Sequence, residues 1–361
     1  MNILIVCGGT GGHLFPGMAV GEELLERQHQ VLLVVSEKEV DTRAVEKVRG
    51  FLVETLPAVA WRGVRPDRAF HFAAGLVRAM GKARRIFKSF HPNAVLGMGG
   101  FSSAAPLFQA RWSGIPSCIH ESNAIPGKAN RLAARFATKV AVGLELAGRC
   151  FPAQRTIWTG TPVRAALRQP GDRLAACKEL GLEAGRPVVL VVGGSQGARG
   201  LNRLVLAAAE KMQLAMPQWL HLTGAGEEET IRKGYAELKA DAKVMAFSSE
   251  MPLLYAAADL VVARSGASSL AEIAQLGLPS ILTPYPHAAD NHQLANARLF
   301  ADAGAALLCE ERTADPAWLG GEIAAILGDK ERRKKMGDAA KRLRHADAHR
   351  KLADMMEELA G

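Results

Sequence analysis

Cysteine is sparse in this 361-residue chain and never clustered: Cys7, Cys118, Cys150, Cys177 and Cys309 stand far apart. An odd, scattered set builds neither a disulfide framework nor a zinc site, and it points to a reducing compartment. No Asp-x-Asp occurs, and no His/Cys set has metal-ligand spacing, so a dedicated metal motif is missing. Aromatic residues make up only 6% of the chain, which argues against a lectin-like or base-stacking surface. No uncharged apolar run reaches the ~18 residues of a spanning helix. No basic-then-apolar leader precedes the apolar run at Ile3, so a secretory signal is not expected.

Acid is also in short supply: 36 Asp and Glu against 45 Lys and Arg leave a formal charge of +9. That excess suits an acidic partner, whether nucleic acid, anionic lipid or a phosphorylated substrate. The run Lys330 to Lys335 reads as the wet face of a helix, because Met336, Ala339, Ala340 and Leu343 continue it at helical spacing.

What the chain has in quantity is glycine, 36 residues, and the placement is informative. Ile3 to Val6 form an apolar run that enters Gly8-Gly9-Thr10-Gly11-Gly12-His13, followed by helical spacing through Met18, Val20, Leu24 and Leu25. A glycine turn between strand and helix brings backbone N–H groups and the positive helix end close to a ligand, so phosphate is the default guest. The pattern returns at Val188 to Val192 with Gly193-Gly194-Ser195-Gln196-Gly197. Two such turns far apart, at this length, indicate two domains.

Other landmarks recur in the same order. The run Ala94 to Gly97 with Gly99-Gly100-Phe101-Ser102-Ser103 is matched by Leu260 to Val262 with Arg264-Ser265-Gly266-Ala267-Ser268-Ser269. Gly114-Ile115-Pro116 before Ser117-Cys118-Ile119 is matched by Gly277-Leu278-Pro279 before Ser280-Ile281-Leu282. Continuous Val/Ile/Leu strands alternating with helices imply parallel sheets covered on both faces. The expected fold is α/β, two doubly wound Rossmann-like domains with an inter-domain cleft. Residues 1–162 form the first, 163–340 the second, and 341–361 a C-terminal helix packing back on the first. Residues 37–50 read as a charged helix.

Several polar sets carry candidate chemistry. His13 stands at the mouth of the first turn, and His120-Glu121-Ser122-Asn123 follows a strand end, where side chains face the ligand crevice or brace a loop. Glu272, one turn into a helix, suits two vicinal hydroxyls or a capping box. Asp290-Asn291-His292-Gln293 and Asn296 place amides on one helical face, suited to sugar hydroxyls. From Trp61 to Phe90, eight Lys and Arg interleave with apolar residues against one acid, Asp67, which describes either a core helix with snorkelling cations or a face for an anionic membrane. A dinucleotide-dependent oxidoreductase is the rival reading. Gly9, Gly11 and Glu37 fit its fingerprint, but Leu14 occupies the third glycine position.

Taken together, Gly8 to Pro16, Gly97 to Phe101, His120 to Asn123, Gly160-Thr161-Pro162-Val163-Arg164, Val192 to Ala198 and Arg264 to Ala267 resemble one family. It is the bacterial undecaprenyldiphospho-muramoylpentapeptide β-N-acetylglucosaminyltransferases of glycosyltransferase family 28. The resemblance implies a GT-B fold and inverting transfer of N-acetylglucosamine from UDP-GlcNAc to the 4-hydroxyl of MurNAc-pentapeptide on undecaprenyl diphosphate, lipid I becoming lipid II in peptidoglycan synthesis. It implies no required cofactor and no metal, with the leaving UDP stabilised by helix N-termini.

By motif, His13 is the implied general base, with a loop-organising or oxyanion-stabilising role as the alternative, and Glu121 is the second candidate. Thr10, Gly11, Gly12, Asn123, Arg164, Ser195, Phe247, Ser248, Ala267, Ser268, Ser269, Glu272, Gln293 and Asn296 would bind UDP-GlcNAc, the sugar contact falling to one of the neighbours His292 and Gln293. Within that set, Ser195 and Arg164 would meet the donor phosphates, Glu272 the ribose, and Phe247 and Ser248 the uracil. Gly99, Gly100 and Phe101 would face the acceptor diphosphate. Leu76, Met80, Lys82, Arg84, Arg85, Phe87, Lys88 and Trp112 would form a patch for the anionic cytoplasmic face of the inner membrane. The implied partners are lipid I, that membrane and other cell-wall synthesis proteins, with no nucleic acid. A related transferase using another lipid acceptor, and a non-catalytic lipid adaptor, remain alternatives.

Overall fold

The computed structural model describes residues 1–8, 11–37, 50–57, 66–194, 198–212 and 217–361, with backbone alone at 66–73 and at Phe101. The expected helix over 37–50 and the basic residues Arg62 and Arg65 therefore lie outside, or almost wholly outside, the described residues. The chain divides into two compact units, Met1–Ala165 together with His345–Gly361, and Ala166–Arg344.

The first unit is built on a seven-stranded sheet with every recorded pairing parallel. Its strands are β1 (Asn2–Cys7), β2 (Gln30–Ser36), β3 (Leu52–Leu56), β4 (Ala94–Gly97), β5 (Ser117–Glu121), β6 (Lys139–Val142) and β7 (Thr156–Trp158). The order is β3-β2-β1-β4-β5-β6-β7, so chain direction across the sheet reverses beside β1. β1, β4 and β5 are buried on both faces, the reason their sequences run apolar without alternation. One face is covered by α1 (Gly11–Glu26) and the last helix, whose Leu352, Ala353, Met355 and Met356 join Ile3, Ile5, Met18 and Leu96 in one core. Each large apolar side chain there contributes roughly 1.5–3 kcal/mol when fully withdrawn from water. The other face carries α2 (Pro66–Phe90) and α3 (Ala104–Trp112), with Ile86, Phe87 and Phe90 packed against Val6, Val34 and Val95.

Short helices α4 (Lys128–Ala133) and α5 (Glu145–Gly148) complete this segment. α1 lies unusually close to the sheet. A Cβ built on Gly17 would fall 2.2 Å from Cys7 Sγ, so only glycine admits the helix there. Close helix–strand contact is what the third glycine of a dinucleotide fingerprint supplies; here Gly17 supplies it and Leu14 is free to be buried.

The second unit repeats the plan with six strands: β8 (Val188–Val192), β9 (Gln218–Leu222), β10 (Ala242–Met245), β11 (Leu260–Ala263), β12 (Ser280–Leu282) and β13 (Ala306–Leu308). Their order is β10-β9-β8-β11-β12-β13, again parallel and again reversing beside the first strand of the unit. Its helices are α6 (Arg173–Glu179), α7 (Arg199–Lys211), α8 (Glu228–Glu237), α9 (Met251–Ala257), α10 (Ala267–Leu276), α11 (His292–Asp302), α12 (Pro316–Gly328) and α13 (Lys330–Arg342). α13 buries Met336, Ala339 and Ala340 and turns Lys334 and Lys335 outward, the amphipathic division expected of the basic run. The chain closes with α14 (Ala348–Ala360) in the first unit.

Candidate active site

In an open parallel sheet, ligands bind beyond the carboxyl ends of the strands where their order reverses. In the first unit that place is ringed by the start of α1, the turn after β4 and the end of β5. His13 is the third residue of α1 and is half-buried. Gly99 and Gly100 turn the chain after β4 with φ of +108° and +79°, a region that favours glycine. A Cβ on Gly99 would lie 3.0 Å from His13 Cε1 and 3.0 Å from Asn130 Nδ2. The imidazole therefore sits directly against the glycine turn. Ser103 Oγ holds that turn by donating to Gly99 O at 2.8 Å.

The end of β5 is fully buried and hydrogen-bonded. His120 Nε2–H donates to Gly160 O at 3.0 Å, and Ser122 Oγ donates to His120 Nδ1 at 3.2 Å. Burial, with a smaller contribution from the neighbouring His13, pushes the His120 pKa down and keeps the ring neutral. Glu121 accepts from Asn123 N at 2.9 Å and Asn123 Nδ2 at 3.1 Å on one oxygen, and from Gly127 N at 3.1 Å and Asn130 Nδ2 at 2.7 Å on the other. Four N–H donors occupy the lone pairs of a carboxylate. Glu121, expected as the second candidate base, is thereby held in the loop from 121 to 130 by these four donors. Asn130, which carries no motif signal in the sequence, supplies one of them.

In the second unit the equivalent edge carries the starts of α7 and α10. Gly266 is the N-cap of α10 and has no side chain to cap it, followed by Ala267, Ser268 and Ser269. A helix start of this kind receives phosphate oxygens on its N–H groups. Glu272 is buried one turn further on, and Tyr255 Oη donates to its Oε2 at 3.1 Å. The turn before α10 is locked from behind. Arg264 pairs with Glu311 and donates to the carbonyls of Thr283 at 3.0 Å and Pro284 at 3.2 Å. Ser265 Oγ donates to Gln293 O at 2.8 Å, Asn296 Nδ2 donates to Ser265 O at 3.1 Å, and Gln293 Oε1 accepts from Tyr285 N at 2.9 Å.

Asn296, expected at the sugar, is buried, and its amide donates to the turn at Ser265. Gln293 and His292 are half-buried, and His292 Nδ1 is taken by Ala289 O at 2.7 Å. Phe247 is exposed just after β10, on the same edge of the sheet, with Ser248 Oγ accepting from Glu250 N at 3.0 Å.

Arg164 belongs to the first unit, where its guanidinium lies 4.1 Å above the Phe15 ring of α1. Thr10 and Ser195 lie outside the described residues, as does the side chain of Phe101. Among the described residues no group of three His, Cys, Asp or Glu is placed to hold a metal ion.

α2 sorts the expected membrane residues into two stripes. Leu76, Arg84, Arg85 and Lys88 are exposed, and on α3 Trp112 is 79% exposed. Phe87 faces the core at 6%, while Met80 is half-buried, and Lys82 Nζ reaches Thr55 Oγ1 at 2.9 Å. Phe87 belongs to the inward stripe of Ala79, Ala83, Ile86, Phe87 and Phe90 at helical spacing, and Lys82 is half-buried beside it. Val77, Phe108 and Leu132, absent from the expected patch, are exposed apolar side chains. No described helix is long and apolar enough to cross a membrane.

Two parallel doubly wound units, each reversing strand order beside its first strand, define the GT-B class of fold. Models of the N-terminal and C-terminal domains of glycosyltransferase family 28 match residues 3–142 and 188–352, and the chain belongs to that family. The UDP-N-acetylglucosamine–N-acetylmuramyl-(pentapeptide) pyrophosphoryl-undecaprenol N-acetylglucosamine transferase of Geobacter sulfurreducens is 38% identical over 363 residues, covering 99% of this chain and 98% of that protein. The enzyme of the same name from Myxococcus xanthus is 36% identical across 99% of this chain and 93% of its own. Among solved structures, Acinetobacter baumannii MurG aligns with a TM-score of 0.75 at 27% identity, covering 99% of this chain and 100% of its own. A UDP-GlcNAc 2-epimerase from Neisseria meningitidis, bound to UDP-GlcNAc, shares the fold at a TM-score of 0.68 and 14% identity over 99% of this chain and 100% of its own.

Proposed function

We propose that this protein transfers N-acetylglucosamine from UDP-GlcNAc to the 4-hydroxyl of MurNAc-pentapeptide on undecaprenyl diphosphate, lipid I becoming lipid II in peptidoglycan synthesis. The observation that carries the reading is the pairing of His13 with the Gly99-Gly100 turn in one unit and of Glu272 with the α10 start in the other. The second unit matches the donor. The first turn of α10 meets the diphosphate, Glu272 the ribose hydroxyls, Phe247 the uracil face and Gln293 the sugar. The first unit matches the acceptor, with its diphosphate assigned to the Gly99-Gly100 turn beside His13.

His13 takes the proton of the acceptor hydroxyl as that oxygen attacks the anomeric carbon, and the bond to UDP breaks on the opposite face. A single displacement inverts the centre, α-linked donor to β-linked product. Charge building on the leaving diphosphate is met by helix N–H groups, whose dipoles are already oriented. The exposed Leu76 and Val77 of α2 and Trp112 of α3, together with the exposed Arg84, Arg85 and Lys88 of α2, suit docking on the anionic cytoplasmic face of the inner membrane, where the acceptor resides.

The test incubates pure protein with labelled UDP-GlcNAc and a lipid I analogue in excess EDTA, following label into lipid. Transfer is the expected outcome and supports donor, acceptor and metal-independent departure together. No transfer, with UDP-GlcNAc still raising the melting temperature, keeps the donor and overturns the acceptor. Stabilisation by NADH instead overturns the whole reading.

A further inference from the structure

We propose that His120 is a positioning residue for this transfer, tying the peptide by which the chain leaves the first unit to the loop that backs His13. The inference rests on the proposed function for the meaning of His13. Its geometry lies wholly within the first unit.

Both ring nitrogens of His120 are engaged: Nε2–H on Gly160 O at 3.0 Å, Nδ1 on Ser122 Oγ at 3.2 Å. The ring is buried and so has no surface for a substrate. Its backbone connects onward. His120 O accepts from Asn130 Nδ2 at 3.3 Å, and that same amide group, with His13 Cε1, forms the wall 3.0 Å from a Cβ built on Gly99. Hydrogen bonds therefore run from Gly160 through His120 to Asn130, whose amide shares with the His13 imidazole the space beside Gly99.

The outer end of that run is where the two passages of the chain meet. Gly160 lies five residues before the first unit ends at Ala165, and His345 is the residue at which the chain re-enters. A Cβ on Gly160 would fall 2.1 Å from His345 Cβ, and Gly160 has φ of +84°. The His345 ring also packs edge-on against Trp158, with centroids 4.6 Å apart. The carbonyl of that single crowded glycine is the one His120 holds. A displaced crossing would thus be felt at His13 through hydrogen bonds and contacts rather than through a long lever. A misplacement of about 1 Å at a reacting group costs on the order of 100-fold in rate.

The experiment compares full-length wild type, His120→Phe and His120→Gln. Glutamine retains an N–H to donate to Gly160 O; phenylalanine does not. Two readouts are taken, transfer kinetics with the lipid I analogue and the NMR resonances of the His13 imidazole.

For His120→Phe, kcat is expected to fall at least ~10-fold with KM for UDP-GlcNAc within about twofold. His120→Gln recovers most of that loss, and the acid limb of the pH–rate profile stays in place in both. The His13 resonances move in the Phe variant and return in the Gln variant. His345→Ala gives a smaller kcat loss of the same kind. Asp354→Asn, which removes only the outlying ion pair to Arg27, lowers Tm and leaves kcat alone.

Equal loss in both His120 variants, loss confined to KM, unmoved His13 resonances in the Phe variant, or disappearance of the acid limb would each overturn the inference. The UDP-induced rise in Tm reports that the second unit is folded in every variant. Absence of transfer by wild type would sink the proposed function alone, since the His13 resonances still decide whether His120 positions it.

Discussion

Asn202 Oδ1 and His221 Nε2 stand 3.1 Å apart at the centre of the second unit, in a chain of hydrogen bonds without access to water. Tyr235 Oη donates to His221 Nδ1 at 3.0 Å, His221 Nε2–H to Asn202 Oδ1, and Asn202 Nδ2 to Thr223 O at 3.0 Å. Every donor finds an acceptor only if His221 is neutral. Burial pushes its pKa from 6.5 down to about 3.

The linkage has a definite sign. Between pH 6.5 and about 3 the unfolded chain binds a proton that the folded chain refuses, so stability rises with pH across that window. The protein is expected to lose stability progressively as pH falls below about 6.5, measured by urea midpoints from pH 8 to pH 4. His221→Phe should flatten that slope while costing roughly 1–3 kcal/mol at neutral pH, because Asn202 Oδ1 is left buried and unpaired. An unchanged slope in the variant would assign the pH dependence to other groups.

A second prediction separates Glu272 from its support. Glu272→Ala removes the carboxylate proposed for the ribose, and KM for UDP-GlcNAc should rise more than about tenfold. Tyr255→Phe keeps the carboxylate but removes the hydrogen bond to it, worth ~1 kcal/mol, and should raise KM by about fivefold with kcat unchanged. Thermal shift by UDP against UDP-GlcNAc gives an independent reading. If Glu272→Ala binds donor as tightly as wild type, the ribose assignment is lost and the carboxylate is a buried brace for Tyr255.

The contrast between Glu272 and Glu121 shows where sequence reading stops. Val/Ile/Leu runs, glycine turns and their repeated order make both parallel sheets and the edge of each sheet legible, since a strand that is apolar at every position must be covered on both faces. A polar residue just past a strand reads equally well as a ligand contact or a loop brace. Its role depends on distant partners, Asn130 for Glu121 and Ser265 for Asn296, whose approach is tertiary. β3 escapes a sequence reading because Leu52, Val53 and Glu54 are exposed on an edge strand, without the signature of a buried one. The phase of α2 is ambiguous for a related reason. Helical spacing allows two apolar stripes, and only packing against the sheet selects the Ile86-Phe87-Phe90 stripe for the core.

His13 and Gly99 yield a third prediction. His13→Ala should lower kcat about 100-fold or more, the usual worth of a general base. Gly99→Ala keeps the imidazole but adds a Cβ at φ of +108°, 3.0 Å from His13 Cε1. Backbone strain there is of order 1–3 kcal/mol, and relief requires His13 or Asn130 to shift. Its kcat should therefore fall at least ~10-fold with donor KM preserved. A two- to threefold effect of His13→Ala would move the proton transfer to another group, and Gly99→Ala would then report on acceptor binding alone.

The last prediction turns on the two stripes of α2. Val77 is 71% exposed and Trp112 79%, with Phe108 stacked beside Trp112 at 6.2 Å between ring centroids. Side chains this open add nothing to the core, so truncating them should leave Tm within a few degrees. Phe87 lies in the core cluster with Val95 and Leu107, and Phe87→Ala should cost about 3–5 kcal/mol of stability.

The two substitutions therefore exchange effects if the outer stripe docks on lipid. Val77→Glu with Trp112→Ala should weaken co-sedimentation with phosphatidylglycerol vesicles at least ~10-fold, since each basic side chain near the surface is worth only about 1 kcal/mol and the apolar contacts must supply the rest. Transfer to a water-soluble acceptor should be unchanged in that variant. Raising salt should weaken wild-type binding to the same vesicles, because Arg84, Arg85 and Lys88 are exposed and screened within a Debye length. Vesicle binding that survives Val77→Glu with Trp112→Ala, yet fails in Arg84→Gln with Arg85→Gln, would mean adsorption through charge alone. Leu76, Val77 and Trp112 would then face water rather than acyl chains.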